Sequence, residues 1–228
     1  MAKESVESRE ERAGNTTSPE ELEKLAQDKN EDVRSYVAKN ANTSTSVLEK
    51  LAEDKSEVVR DKIAYNENTP VSVLQKLGED KDSYVRLRVA ENNNTPVSVL
   101  QKLAGDEIFL VRQSLIPNKN SPLSLLEKLV EDEDQGVRKA VAFYKEMPVS
   151  PLKKLVECAN NTNGLESFFG FEKGLKSGTE WYRKLKMVQT IVRKQLSITP
   201  YPRPWPTSQL RIIISKVVQA DKSFMPKT

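Results

Sequence analysis

The chain has 228 residues, of which 37% are hydrophobic and 30% charged, with a mean hydropathy of −0.60 and a formal net charge of +3. It has no histidine and a single cysteine, Cys158. These counts exclude His-based acid–base catalysis, Ser–His and Cys–His nucleophile pairs, histidine metal ligands, an intramolecular disulfide and a four-cysteine metal cluster.

In chain order, residues 1–14 come first: charged, serine-rich and without the apolar stretch of a secretory signal. They read as a disordered N-terminal segment. No apolar run anywhere approaches the ~20 residues of a membrane span. A cytoplasmic location with no membrane contact is therefore expected.

From about residue 15 a 26-residue period sets in. Leu25, Leu51, Leu77, Leu103, Leu129 and Leu155 share it, and so do Leu22, Leu48, Leu74, Leu100, Leu126 and Leu152. Asp28, Asp54, Asp80, Asp106 and Asp132 form a third column. Arg34, Arg60, Arg86, Arg112 and Arg138 form a fourth, and Val33, Val59, Val85, Val111 and Val137 a fifth. No insertion breaks the phase, so 15–157 reads as a repeat array.

Each unit reads as two short helices and two tight turns. Thr17, Thr43, Thr69, Thr95 and Ser121 supply a hydroxyl N-cap for the first helix, with Pro70, Pro96, Pro122 and Pro148 at its first position. Val73, Leu74 and Leu77 then share one face. Asn30, Ser56, Asp82 and Asp134 start the second helix, in which Val85, Val89 and Ala90 face inward. Asn40, Asn66, Asn92 and Asn118 close it, as residues that tolerate a left-handed conformation. Two such helices cannot bury their apolar stripes alone, and stacking of neighbours supplies one continuous core. At ~8–10 Å between packed helices the array makes a curved rod of roughly 50 Å.

The Asn-Thr-Pro start, the Val-Leu-x-Lys-Leu run, the Glu-Asp turn and the Val-Arg-x-x-Val-Ala helix, all present in 68–90, resemble the variant leucine-rich repeat (LRV) family. The resemblance covers roughly 140 residues. It implies an all-α, right-handed α-solenoid, HEAT-like in character, with α and 3₁₀ helices alternating, here in five to six two-helix repeats. Some members carry a Cys-rich iron–sulfur module before the repeats. Those cysteines are missing here, so no cofactor is expected, and the family by itself implies no enzymatic activity.

Residues that recur in every copy serve stacking. The Asp28-type and Arg34-type columns are therefore expected to pair within or between units and to bond loop backbone. Asp132, Glu133 and Asp134 read as a solvated turn rather than a metal or acid–base site, and Cys158 as a partly buried small residue. The fourth unit departs from the pattern. Ile108-Phe109-Leu110 replaces a polar helix start, and Pro117 cuts the helix short. An apolar triplet at an exposed turn needs a cover, either the C-terminal segment or a partner protein.

Residues 158–228 differ in composition. Eight of the 14 aromatics lie there, and 12 lysines and arginines against four acidic residues give +8, leaving −5 on residues 1–157. Trp181, Leu185, Val188, Val192 and Leu196 align on one face of a helix over 180–196, with Arg183, Lys184, Lys186, Arg193 and Lys194 elsewhere on it. A polyproline-type stretch, with Arg203 and Trp205, and an apolar segment over 210–218 follow. Two readings stand: a helical cap on the last repeat, or a basic aromatic surface for an anionic partner. The leading function is a non-enzymatic protein–protein interaction scaffold or adaptor, with a protein or peptide partner. The alternative is a nucleic-acid-binding helical-repeat module that uses the basic segment. An enzyme of the HEAT-like DNA glycosylase kind rests on fold analogy alone. Candidate partner-binding residues are Ile108, Phe109, Leu110, Trp181, Arg183, Lys184, Lys186, Arg193, Lys194, Arg203 and Trp205.

Overall fold

The computed structural model describes residues 4–144 and, beyond them, Pro151, Lys154 and Cys158. Among the described residues there are eleven helices and no strand, so the fold is all-α. The first is α1 (Val6–Asn15). Short and long helices then alternate: α2 (Pro19–Leu25), α3 (Glu31–Lys39), α4 (Thr45–Leu51), α5 (Glu57–Tyr65), α6 (Val71–Leu77) and α7 (Ser83–Glu91). They continue with α8 (Val97–Leu103), α9 (Phe109–Ser114), α10 (Leu123–Leu129) and α11 (Gln135–Phe143). The chain divides into two compact units, Met1–Leu125 and Leu126–Thr228.

In the first unit the long helices pack in sequence, α1 on α3, α3 on α5, α5 on α7 and α7 on α9. The short helices α2, α4 and α6 pack on the long helix after them, and α8 on the long helix before it. The repeated apolar columns are the core: Val59, Ile63, Val85, Val89, Leu48, Leu74 and Leu100 are fully buried. A buried side chain of this size contributes ~1.5–3 kcal/mol. In the described part of the second unit, Leu126, Leu129, Val130, Val137 and Val141 are buried in the same pattern.

The N-terminal segment, expected to be disordered, is helical from residue 6. Ser5 caps α1, its Oγ accepting from the Ser8 N–H at 3.2 Å. This helix takes the place of a long helix before α3. Arg9 pairs with Asp28 at 2.7 Å, nineteen residues on, whereas Arg34–Asp54, Arg60–Asp80 and Arg86–Asp106 are each twenty apart. The phase therefore slips by one residue, and a strict 26-residue search passes over it. Ala13 is its one buried residue, against four in α5. Polar contacts add to its attachment, with the Asn40 side chain donating to the Ala13 and Thr16 carbonyls at 2.9 and 3.0 Å.

Four expectations about helix ends are corrected. Thr43, Thr69, Thr95 and Ser121 are not caps. Their hydroxyls donate backwards to the carbonyls of Val37, Ile63, Val89 and Leu115 at 2.5–2.6 Å, fastening each loop to the preceding long helix. The cap position falls one residue later, on Ser18, Ser44, Pro70 and Pro96. Pro70 and Pro96 thus stand just outside the helix and accept its first bonds through their carbonyls, with Val73 and Val99 N–H at 3.0 Å. Asn40, Asn66 and Asn92 end their helices in extended backbone, with φ near −70°, rather than in the left-handed region. Their side chains hold them there. Both helices of each pair are α-helical, and in place of the 3₁₀ helix that the resemblance implies there are i→i−3 bonds at the ends of both kinds of helix, such as Glu79 N–H to Lys76 O at 3.0 Å and Asn66 N–H to Ile63 O at 3.1 Å.

Candidate partner-binding site

Two sets of side-chain bonds align the long helices of the first unit and so create the surface they share. At the N-terminal edge, Arg34 Nε lies 2.6 Å from Asp54, Arg60 the same from Asp80, and Arg86 from Asp106. A second nitrogen of each guanidinium bonds the other carboxylate oxygen, at 2.8–3.0 Å. Nη1 donates back to the carbonyls of Asp28, Asp54 and Asp80. Each carboxylate also accepts from the backbone N–H two residues on, at Ser56, Asp82 and Ile108. One Arg–Asp pair therefore fixes two loops and one helix start. Charge-assisted two-point contacts of this kind are strong and directional.

Burial pushes the Asp54, Asp80 and Asp106 carboxyls up, but the arginine hydrogen bond, the backbone N–H and the arginine charge together outweigh it. All three are held below the usual carboxylate range. Asp28 is lowered chiefly by its bond from Arg9. The arginines are raised by the same bonds. In the second unit, Arg138 Nη1 donates to the carbonyls of Asp132 and Glu133 at 2.6 and 2.8 Å. Asp134 caps α11 through the Gly136 and Val137 N–H groups. The Asp132-Glu133-Asp134 turn is thus a loop-and-cap structure.

At the C-terminal edge runs a double row of asparagines. Buried Asn66 donates to the carbonyls of Ala38 and Asn40 at 2.8 and 3.1 Å. Asn92 does the same to Ala64 and Asn66, and Asn118 to Ala90 and Asn92. Each Oδ1 accepts from the N–H two residues on. A second row, Asn68, Asn94 and Asn120, reaches the carbonyls of Ala41, Glu67 and Asn93. Helix C-terminus meets helix C-terminus, so α3, α5, α7 and α9 run side by side in one direction. The sequence shows the second row as another 26-residue column, two residues after the first. Reading the first as helix ends alone concealed its bonding role.

With these edges fixed, one face of every long helix looks outward. In α3, α5 and α7 the third, fourth, seventh and eighth residues turn inward, so the second, sixth and ninth point away. Among the described residues nine large hydrophobic side chains are exposed, and six belong to this face or its border: Tyr36, Val58, Tyr65, Tyr84, Phe109 and Leu110. The other three, Val71, Val97 and Leu123, begin short helices. Val58, Tyr84 and Leu110 stand 26 residues apart, in the column that starts with Asp32. Tyr84 is the most exposed, at 69%. Sequence reasoning found the Ile108-Phe109-Leu110 triplet but missed Val58 and Tyr84, although the column containing them was legible.

The polar residues among these side chains are partly matched to one another. Arg88 lies 5.8 Å from the centre of the Tyr65 ring, pairs with Asp61 at 3.0 Å and with Glu91 at 2.7 Å, and Lys62 joins Asp61 at 2.8 Å. The outward face of α9 carries no charge at all: Phe109, Leu110, Gln113 and Ser114 make it up. Ile108 is half-buried at the N-cap position and offers no side-chain acceptor. Pro117 ends the helix after six residues, having no N–H to continue it.

Trp181, Arg183, Lys184, Lys186, Arg193, Lys194, Arg203 and Trp205 lie outside the described residues, as does the expected C-terminal cap. Cys158 is half-buried, its Sγ donating to Glu131 Oε1 at 3.4 Å. Among the described residues no group of three or more Asp, Glu or Cys side chains is placed to hold a metal ion. No helix there is long and apolar enough to cross a membrane. The fold and this surface define an all-helical protein of sequentially packed helix pairs. No family model matches the chain, and no curated protein matches it.

Proposed function

We propose that this chain is a non-enzymatic interaction scaffold, a right-handed α-solenoid of five to six 26-residue LRV-type repeats that holds a protein partner on the outward face of its long helices. The observation that carries the reading is the exposed apolar row from Val58 through Tyr84 to Phe109 and Leu110, half aliphatic and half aromatic. Exposed tyrosines beside an aromatic-stacked arginine have the composition of an interface centre. The repeated pairs and asparagines beneath supply a rigid support, so little order is lost when a partner binds.

The test is a photo-crosslinking amino acid in place of Tyr84, followed by purification with and without nuclease and mass spectrometry. A protein crosslinked at this position and resistant to nuclease supports the scaffold. Recovery of nucleic acid alone overturns it in favour of the nucleic-acid-binding module, a reading favoured by the +8 charge of residues 158–228.

A further inference from the structure

We infer that the row formed by the N-terminal turns of α5, α7 and α9 is a docking surface for one kind of partner, a basic amphipathic helix of another polypeptide lying across the long helices. The inference rests on the scaffold reading and specifies its ligand. Three observations point to it.

The first is spacing. Val58, Tyr84 and Leu110 hold the same position on three helices packed side by side. Packed helices lie ~8–10 Å apart. Side chains seven residues apart on an α-helix are separated by roughly 10.5 Å along its axis. A crossing helix with apolar residues at i, i+7 and i+14 therefore sets one side chain against each rung. Phe109, beside Leu110, widens the last rung.

The second is charge. Residues 4–125 hold 17 lysines and arginines against 22 acidic residues, a net −5. Along the row itself, exposed Glu31 and Asp32 precede Val58 at one end, Glu57 is its neighbour, and Glu107 stands before Phe109 at the other end. Lys29, Lys55 and Lys81 lie on the intervening loops and reduce this excess without reversing it. Of the four carboxylates only Glu107 has an ion-pair partner among the described residues, Arg86 at 3.6 Å. A helix with an apolar stripe and lysine or arginine on its flanks matches an apolar row with acidic ends. An acidic helix is repelled by the carboxylates at the ends of the row.

The third is what the row does not do for the fold. Tyr84, Leu110 and Phe109 keep 40% or more of their surface exposed, while the valine beside each pair, Val85 or Val111, is fully buried. The fully buried valines form the core at each rung, and the row residues leave about two-fifths or more of their surface open. Scattered exposed apolar residues are ordinary on protein surfaces, whereas an aligned set on adjacent helices marks an interaction site.

The experiment uses the full chain and three helix-forming peptides of about 21 residues, read by fluorescence anisotropy. The first has leucines seven residues apart with lysines on both flanks. The second replaces the lysines with glutamates, and the third replaces the leucines with serines. The lysine peptide is expected to bind at least tenfold more tightly than either control. Tyr84→Ser with Leu110→Ser should weaken it at least tenfold, with the circular dichroism spectrum unchanged. In a Glu31→Lys, Asp32→Lys, Glu57→Lys variant the preference should shift toward the glutamate peptide, an inversion that a merely structural role would not produce. Equal binding of lysine and glutamate peptides overturns the proposal. So does no binding by any peptide, whether the row is then covered by the chain's own residues 180–196 or by a second copy. If the Tyr84 crosslink captures a protein whose crosslinked segment is acidic or extended, this inference fails and the scaffold reading stands. If it captures no protein, both fail.

Discussion

The two edges of the long helices and the outward row between them are built on the same helices yet follow opposite rules. At the edges the residue is constant and buried: arginine to aspartate at one end, asparagine to backbone at the other, each bridging successive repeats. In the row the residue changes at every rung, from Asp32 to Val58 to Tyr84 to Leu110, and stays exposed. Constancy follows from translation. A side chain that bonds its own neighbour copy must find the same partner at every step, so a single change leaves a buried group without its mate. Residues that face away from the neighbouring copy have no such obligation and are free to diverge toward a ligand.

The comparison breaks most sharply at the arginines. Arg60→Met removes the partner of a buried carboxylate, Asp80, and a donor to the Asp54 carbonyl. A loss of about 3–5 kcal/mol is expected in urea unfolding, because an uncompensated buried charge remains. Next come the asparagines. Asn92→Ala strips two donors from the Ala64 and Asn66 carbonyls and should cost about 2–3 kcal/mol. Asn92→Asp is the sharper variant, since it aims a carboxylate at two carbonyl oxygens. Its stability should improve as pH falls and the carboxyl takes up a proton.

The parent chain should respond to acid with the opposite sign. Asp28, Asp54, Asp80 and Asp106 are held below their ordinary value of 3.8, so the unfolded chain binds more protons than the folded one in this range. The stabilisation is fully present above about pH 5 and is lost as pH drops through 3.8 toward the folded-state values. Thermal melts between pH 7 and pH 3 measure it, and a melting temperature that is flat over that range would contradict the paired geometry.

Smaller effects sharpen the contrast. Ser56 stands at the N-cap of α5 with its Oγ buried and without a hydrogen-bond partner among the described residues, whereas Asp82 at the same place in the next repeat accepts from the Tyr84 and Val85 N–H groups. Ser56→Asp should therefore raise stability by about 0.5–1 kcal/mol. Leu110→Ser, in the row, should change stability by less than ~0.5 kcal/mol in the same assay. A large loss there would show the row to be part of the core.

Much of the fold was legible as period and little of it as bonding. The leucine and valine columns located the core because burial in each unit selects the same side-chain volume. Thr43 and Thr69, in contrast, look like caps in the sequence because a hydroxyl before a helix ordinarily caps it. Their donation to Val37 and Ile63 carbonyls depends on where the loop folds back, which local pattern does not encode. Helix α1 went unread for a related reason: its contacts are those of a repeat, but its phase is one residue short.

By itself the sequence determined the repeat length, the all-helical character, the identity of the core columns and the excess of acid in the repeats over the tail. These depend on residue type and spacing, and spacing survives in one dimension. Only the tertiary structure decided which residue pairs with which, because an Asp column and an Arg column allow pairing within a repeat or between repeats. The answer, twenty residues forward, depends on how far one helix pair is displaced from the next. The tertiary structure also decided that Val58 and Tyr84 join Leu110 in a single exposed row. Residues 26 apart in sequence become neighbours only when the stacked helices stand side by side.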